Sequence, residues 1–148
     1  MAVATFVVQI PNPATRGYIN FGDIMIFVSA LTFGPTVGGF AGSVGSAISD
    51  IAGGYGYFAP FTFVIKGIEG LLAGLISNQS SVIRDGIAVV FAGSEMISGY
   101  FLTELYLYGL APALTEVPGN ISQIAVGGLI GIPLALVLRK NMPKLWTK

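Results

Sequence analysis
The sequence predicts an all-α integral membrane protein: one domain over residues 1–148, built as a six-transmembrane-helix bundle whose first helix is shortened. Three observations predict it. Charged residues make up 9% of the chain, against roughly 25% in soluble domains, while 53% are apolar. Glycine occurs 21 times, and small residues let membrane helices approach closely. Finally, Pro- and Gly-rich clusters cut the apolar sequence into stretches of about helix length.

The elements follow in order. The first, residues 1–10, ends at PNPATRGY and covers only about 15 Å at ~1.5 Å per residue, half a bilayer core. The second runs over 19–33 and stops at FGP. A third spans 36–52, a fourth 58–76, a fifth 82–108 and the last 120–138. Cationic residues set the orientation. Arg139, Lys140, Lys144 and Lys148 follow the last span and place the C-terminus in the cytoplasm; six spans place the N-terminus there too. Arg84 then falls in an inner loop, and the outer loops are PNPATRGYIN, AGGYGYFAP and LAPALTEVPGN. The expected location is a prokaryotic cell membrane.

Several chemistries are excluded or lack support. Without cysteine there is no disulfide or thiolate metal site, and without histidine no imidazole base. No G-x-x-x-x-G-K-[ST], H-E-x-x-H or G-x-S-x-G occurs, so the chain is not expected to hydrolyse ATP itself. No cofactor or metal is expected. With zero net charge and no basic run, nucleic acid is not an expected partner; the lipid bilayer is. The N-terminus lacks the pattern of a cleaved signal peptide.

The ionisable residues inside the spans carry the functional argument, because such residues face a bundle interior or cavity. By ~1.5 Å per residue, Lys66 lies about 12 Å below the outer end of its span. Glu95 reaches a similar level, about 10 Å below the outer surface of a ~30 Å core, and Asp50 does so from the third span. Glu69 lies one turn deeper, on a nearby face. Two readings stand: an internal Lys66–Glu95 or Lys66–Glu69 salt bridge that ties the bundle, or a polar ligand pocket open to the outside. An intramembrane carboxylate enzyme and an ion channel past Asp50, Lys66 and Glu95 are the alternatives from other classes.

Tyr18, Tyr55, Tyr57, Tyr100, Tyr106 and Tyr108 all map to the outer loops or outer helix ends. An interfacial belt should populate both sides, whereas a one-sided cluster fits a platform or lid for a flat ring. Asn120 and Gln123 open the last span on the same side, where amides read ring nitrogens and carbonyls; an N-cap is the rival role for Asn120. Small-residue stripes at Gly38/Gly42/Ser46, Gly67/Gly70/Gly74 and Gly127/Gly128/Gly131 serve packing within the chain or docking of a partner.

GYINFGD (17–23), FGPTVGGFAGSVGSAISDIAGGY (33–55) and FAPFTFVIKGIEGLLAG (58–74), read together, resemble the substrate-binding S component of energy-coupling factor (ECF) transporters, in the riboflavin-type branch. The G-D opening and the K-G-x-E-G are the most specific parts. The resemblance implies a six-helix protein that captures a vitamin or precursor from outside: riboflavin, or a smaller pyridine- or pyrimidine-like compound. It further implies association with a transmembrane coupling subunit and two cytoplasmic ATP-binding subunits, and toppling in the membrane to release the ligand. By position, Lys66, Glu95, Tyr100 and Asn120 fall where the family's ligand contacts lie, and Tyr18 and Tyr57 on its lid loops. With Asn20, Asp50 and Gln123 these form the expected binding set. One departure is that the family's first helix carries an A-x-x-x-A face for the coupling subunit, and residues 1–10 offer only Ala2 and Ala4. Either translation starts further upstream or docking uses other glycine faces.

Overall fold
The computed structural model describes residues 9–12, 17–79 and 81–142, with side chains described from residue 20 onward. Two short strands, β1 (Gln9–Asn12) and β2 (Gly17–Asn20), form an antiparallel hairpin with Gln9 opposite Asn20 and Asn12 opposite Gly17. Five helices follow among the described residues: α1 (Gly22–Phe33), α2 (Pro35–Ala52), α3 (Ala59–Ile76), α4 (Val82–Tyr108) and α5 (Leu110–Asn141). Three of them, α3, α4 and α5, are long and apolar enough to cross a membrane. At ~1.5 Å per residue α4 and α5 run to about 40 and 48 Å, so their ends project beyond a ~30 Å core.

Three expectations change here. The predicted first segment was helical to Ile10, but Gln9 and Ile10 belong to β1; residues 1–8 lie outside the described residues, as do Arg16, Lys144, Trp146 and Lys148. The second segment starts at Gly22 rather than residue 19, because Ile19 and Asn20 pair into the hairpin. And LAPALTEVPGN is not a loop. It forms the first turns of α5, which continues through Pro118. Pro112 occupies the first turn, where its missing N–H has no helical acceptor in any case. Only Pro118 then removes a hydrogen bond there, and one lost bond does not end a 32-residue helix.

Tight connections set the antiparallel order. Gly34 takes φ 91°, a conformation only glycine adopts cheaply, and its N–H donates to the Ala30 carbonyl to close α1. Pro35 then opens α2. α2 and α3 pack backbone to backbone: a Cβ added at Gly70 would land on the Gly38 backbone, and one at Gly42 on that of Lys66. Gly127 and Gly131 of α5 receive Phe27, and Gly128 receives Val89. These glycines of the small-residue stripes are therefore occupied within the chain. Phe27, Ala30, Leu31, Ala73, Ala88, Val89, Ala92 and Ala135 form the buried apolar core between α1, α3, α4 and α5.

The end of the bundle opposite the hairpin is closed by one cation. Arg139 of α5 makes a forked pair with Asp85 of α4, Nη1 to Oδ2 at 2.8 Å and Nη2 to Oδ1 at 3.1 Å. Its Nε and Nη2 also donate to the Leu31 carbonyl at the end of α1, the former at 2.9 Å. Ser77, just past α3, donates to Asp85 Oδ1 at 2.6 Å. Asp85 is fully buried. The planar guanidinium suits this role because it offers five donors in fixed directions, enough to serve a carboxylate and a carbonyl at once.

Candidate functional site
At the hairpin end the helices surround a cavity of about 510 Å³, counting the space at its open mouth. Four helices each supply two lining residues one turn apart. They are Ser46 and Asp50 from α2, Thr62 and Lys66 from α3, Tyr100 and Glu104 from α4, and Glu116 and Asn120 from α5. The i,i+4 spacing places both members of each pair on one helix face. Asn20 of β2, Tyr55 and Phe58 of the α2–α3 connection, and Gln123 complete the wall.

Lys66 sits in the wall, buried, between two carboxylates. Its Nζ pairs with Asp23 Oδ1 and lies 3.0 Å from Glu69 Oε2. It also stands 5.7 Å from the centroid of the Tyr100 ring, within cation–π range. Of the two predicted salt bridges, Lys66–Glu69 is present, while Asp23 takes the place expected for Glu95. Glu69 thus holds the lysine from one turn along its own helix as Asp23 holds it from α1. The Tyr100 hydroxyl donates to Thr62 Oγ1 at 3.2 Å, which ties α4 to α3 across the cavity.

The opposite wall is a directed relay. The Asn20 backbone N–H donates to Gln123 Oε1 at 2.9 Å, and Gln123 Nε2 donates to Asn120 Oδ1 at 3.0 Å. A backbone N–H can only donate, so Gln123 must present its oxygen to Asn20 and its nitrogen to Asn120. Asn120 is left with its own amide donors. The Asn20 side chain turns back to accept the Gly22 N–H at 2.7 Å, at the hairpin–α1 junction. Asn120 is well inside α5, not at its N-cap.

Of the nine expected site residues, Asn20, Asp50, Lys66, Tyr100, Asn120 and Gln123 line the cavity. Glu95 does not. It precedes Tyr100 by five residues, which at ~100° per residue turns it about 140° from the lining face. Depth counting gave its level but not its azimuth. Tyr57 is 46% exposed, with its ring 4.9 Å from that of Phe58, and its neighbours Tyr55 and Phe58 line the cavity instead. Tyr18 lies on β2, and its side chain is outside the described ones.

The sequence reading missed Asp23, Glu104 and Glu116. Asp23 was quoted in GYINFGD and lies inside the predicted second segment, but it was not counted among the intramembrane acids. Glu116 was assigned to the outer loop LAPALTEVPGN, and Glu104, near the end of the fifth segment, was not singled out. Their signal was the i+4 step from Tyr100 to Glu104 and from Glu116 to Asn120. The second of these becomes visible only once α5 begins at Leu110.

Comparison with known proteins adds to this geometry. Residues 1–140 match the family model described as ECF-type riboflavin transporter, S component. The chain belongs to that family. It is also 44% identical over 143 residues to an uncharacterized protein of Pyrococcus woesei, covering 96% of each chain. A more distant relative is the thiamine precursor transporter HmpT of Lactococcus lactis subsp. cremoris, 25% identical over 132 residues, covering 88% of this chain and 76% of that one. Membership of the S component family, with three long apolar helices, makes this a multi-pass membrane protein of vitamin-uptake transport.

Proposed function
We propose that the chain is the substrate-capture subunit of an ECF-type uptake system, binding a vitamin or vitamin precursor in the hairpin-end cavity. The observation that carries this is the convergence of four helices, each presenting an i,i+4 pair, on one cavity lined mostly by polar side chains. The opposite end of the bundle is shut by the Arg139–Asp85 clamp. A site open at one end and sealed at the other suits one-sided capture.

The hairpin end faces the outside and both termini face the cytoplasm, in keeping with Arg139 and Lys140 at the last turn of α5. Asn20, Asp50, Lys66, Tyr100, Asn120 and Gln123 contact the ligand. Tyr18 on the hairpin and Tyr57 on the α2–α3 connection cover it, and Glu95 acts from outside the wall. A transmembrane coupling subunit and two cytoplasmic ATP-binding subunits supply the energy for release.

Uptake tests this. Proteoliposomes holding the chain together with those subunits should accumulate the labelled vitamin only with ATP, and the chain alone should bind it one to one. Conduction of ions by the chain alone, with no vitamin bound or accumulated, would overturn the reading.

A further inference from the structure
Glu95 is the acid that nothing inside the bundle accounts for. It stands at the midpoint of α4, roughly 20 Å from either end at ~1.5 Å per residue, too deep for its short side chain to reach water. Among the described residues every other acid is buried, as is Lys66, and the remaining cations stand at the inner helix ends. Glu95 is only half-buried and lies outside the cavity wall. Its Oε2 is enclosed yet has no hydrogen-bond partner. Lys66, the cation whose charge reaches it, is already held by Asp23 and Glu69. An ionisable group at this depth is expensive unless a partner meets it.

Its position on α4 shows where that partner would come from. Gly99 packs on Ile65 of α3, so that side of the helix is covered. At ~100° per residue Glu95 stands about 40° from Gly99 and about 60° from Ser98, at the edge of the exposed face. Ser94 and Ser98, one turn apart, are exposed on that face. Their hydroxyls donate back to their own helix, to the Val90 carbonyl at 2.7 Å and the Ser94 carbonyl at 2.8 Å. Phe91 and Leu102 flank them at 63% and 62% exposure. Two small residues between two large ones make a notch into which a second helix can come close, with a bare carboxylate on its rim. The glycine stripes of α2, α3 and α5 offer no such surface, because this chain's own residues fill them.

Charge decides the occupant. Acyl chains carry no donor, and lipid headgroups lie too far from the middle of the helix. A second copy brings no exposed cation at this depth, and a two-fold contact would set Glu95 against Glu95. A helix of a different protein, with a cationic or hydrogen-bond-donating side chain at mid-membrane, fits both the notch and the acid. Resting on the capture reading above, we propose that α4 docks a transmembrane helix of the coupling subunit on the Ser94–Glu95–Ser98 notch, with Glu95 accepting from a lysine, arginine or amide of that helix.

The chain has no cysteine, so one introduced at the notch is unique. The test is electron paramagnetic resonance of a spin label on Ser98→Cys, in the isolated chain and in the complex with the coupling and ATP-binding subunits, both in nanodiscs. Assembly is expected to immobilise the label and to shield it from oxygen. Unchanged spectra at Ser98 in the assembled complex, with immobilisation instead of a label at Phe40→Cys on the exposed face of α2, would overturn the proposal. Glu95→Leu supplies a second measurement. The isolated variant should melt at or above the parent, because an unpaired acid has left the membrane, while its recovery with the coupling subunit falls at least roughly 10-fold. A lowered melting midpoint would give Glu95 an internal role and overturn the proposal, as would assembly at the parental yield. If the parent chain does not assemble with these subunits, the proposal falls, and capture then stands or falls on whether a small molecule copurifies with the chain alone.

Discussion
Replacing Lys66 by alanine removes the one cation from a buried group of three. Asp23 and Glu69 are 1% and 0% exposed, and both carboxylates are held on the lysine Nζ. Without it, two buried acids remain in the bundle with no counter-charge beside them. Breaking a buried ion pair from one side costs roughly 3–5 kcal/mol, far more than the packing of the lysine stem contributes. Lys66→Ala should therefore lower the unfolding midpoint in a far-UV circular dichroism melt, and should weaken vitamin binding by several-fold or more. The compensated variant Lys66→Met with Asp23→Asn and Glu69→Gln removes all three charges while keeping similar volume. It should regain most of the stability but not the affinity, because Lys66 also lines the cavity. If Lys66→Ala melts with the parent, or if the neutral triple variant is no more stable than the single one, the buried triad is not what holds α1 to α3. Unchanged affinity would confine Lys66 to a structural role.

At the other end of the bundle, Arg139→Ala should destabilise by roughly 3–5 kcal/mol, since it strands the fully buried Asp85, and adding Asp85→Asn should restore part of that; thermal melts of the two variants check it. Gly70→Leu should cost more than the roughly 1–3 kcal/mol usual for overpacking, because the intruding Cβ meets the Gly38 backbone rather than a side chain that can move; the same substitution at Gly86, where a Cβ meets nothing, should be tolerated in the same melt.

Much of this fold was legible because membrane helices announce themselves by length and apolarity. The boundaries predicted for α3 and α4 lie within a residue of those found, since Pro, Gly and polar linkers mark them. The hairpin was not legible. GYIN and QIPN are four residues each, too short for period-two alternation to emerge. The start of α5 was hidden by two prolines, only one of which breaks a helical hydrogen bond.

Within the site, depth was readable by counting residues from the helix ends, and it brought Asp50 and Lys66 to the cavity. Azimuth was not, because in a membrane helix the lipid-facing and bundle-facing sides are both apolar and show little contrast. That is why Glu95 was placed at the cavity level without being on its wall, while Glu104, on the Tyr100 face, was overlooked. The partner of Lys66 is Asp23, in the first turn of α1, a pairing between helices that counting along one helix does not reveal.

Native mass spectrometry of the chain, purified gently from cells supplied with a vitamin mixture, tests the central claim most directly. A folded population carrying one small heteroaromatic molecule per chain is the predicted result, with that mass lost in Lys66→Ala. A well-folded chain that carries no small molecule under these conditions, in every preparation, would contradict capture in this cavity.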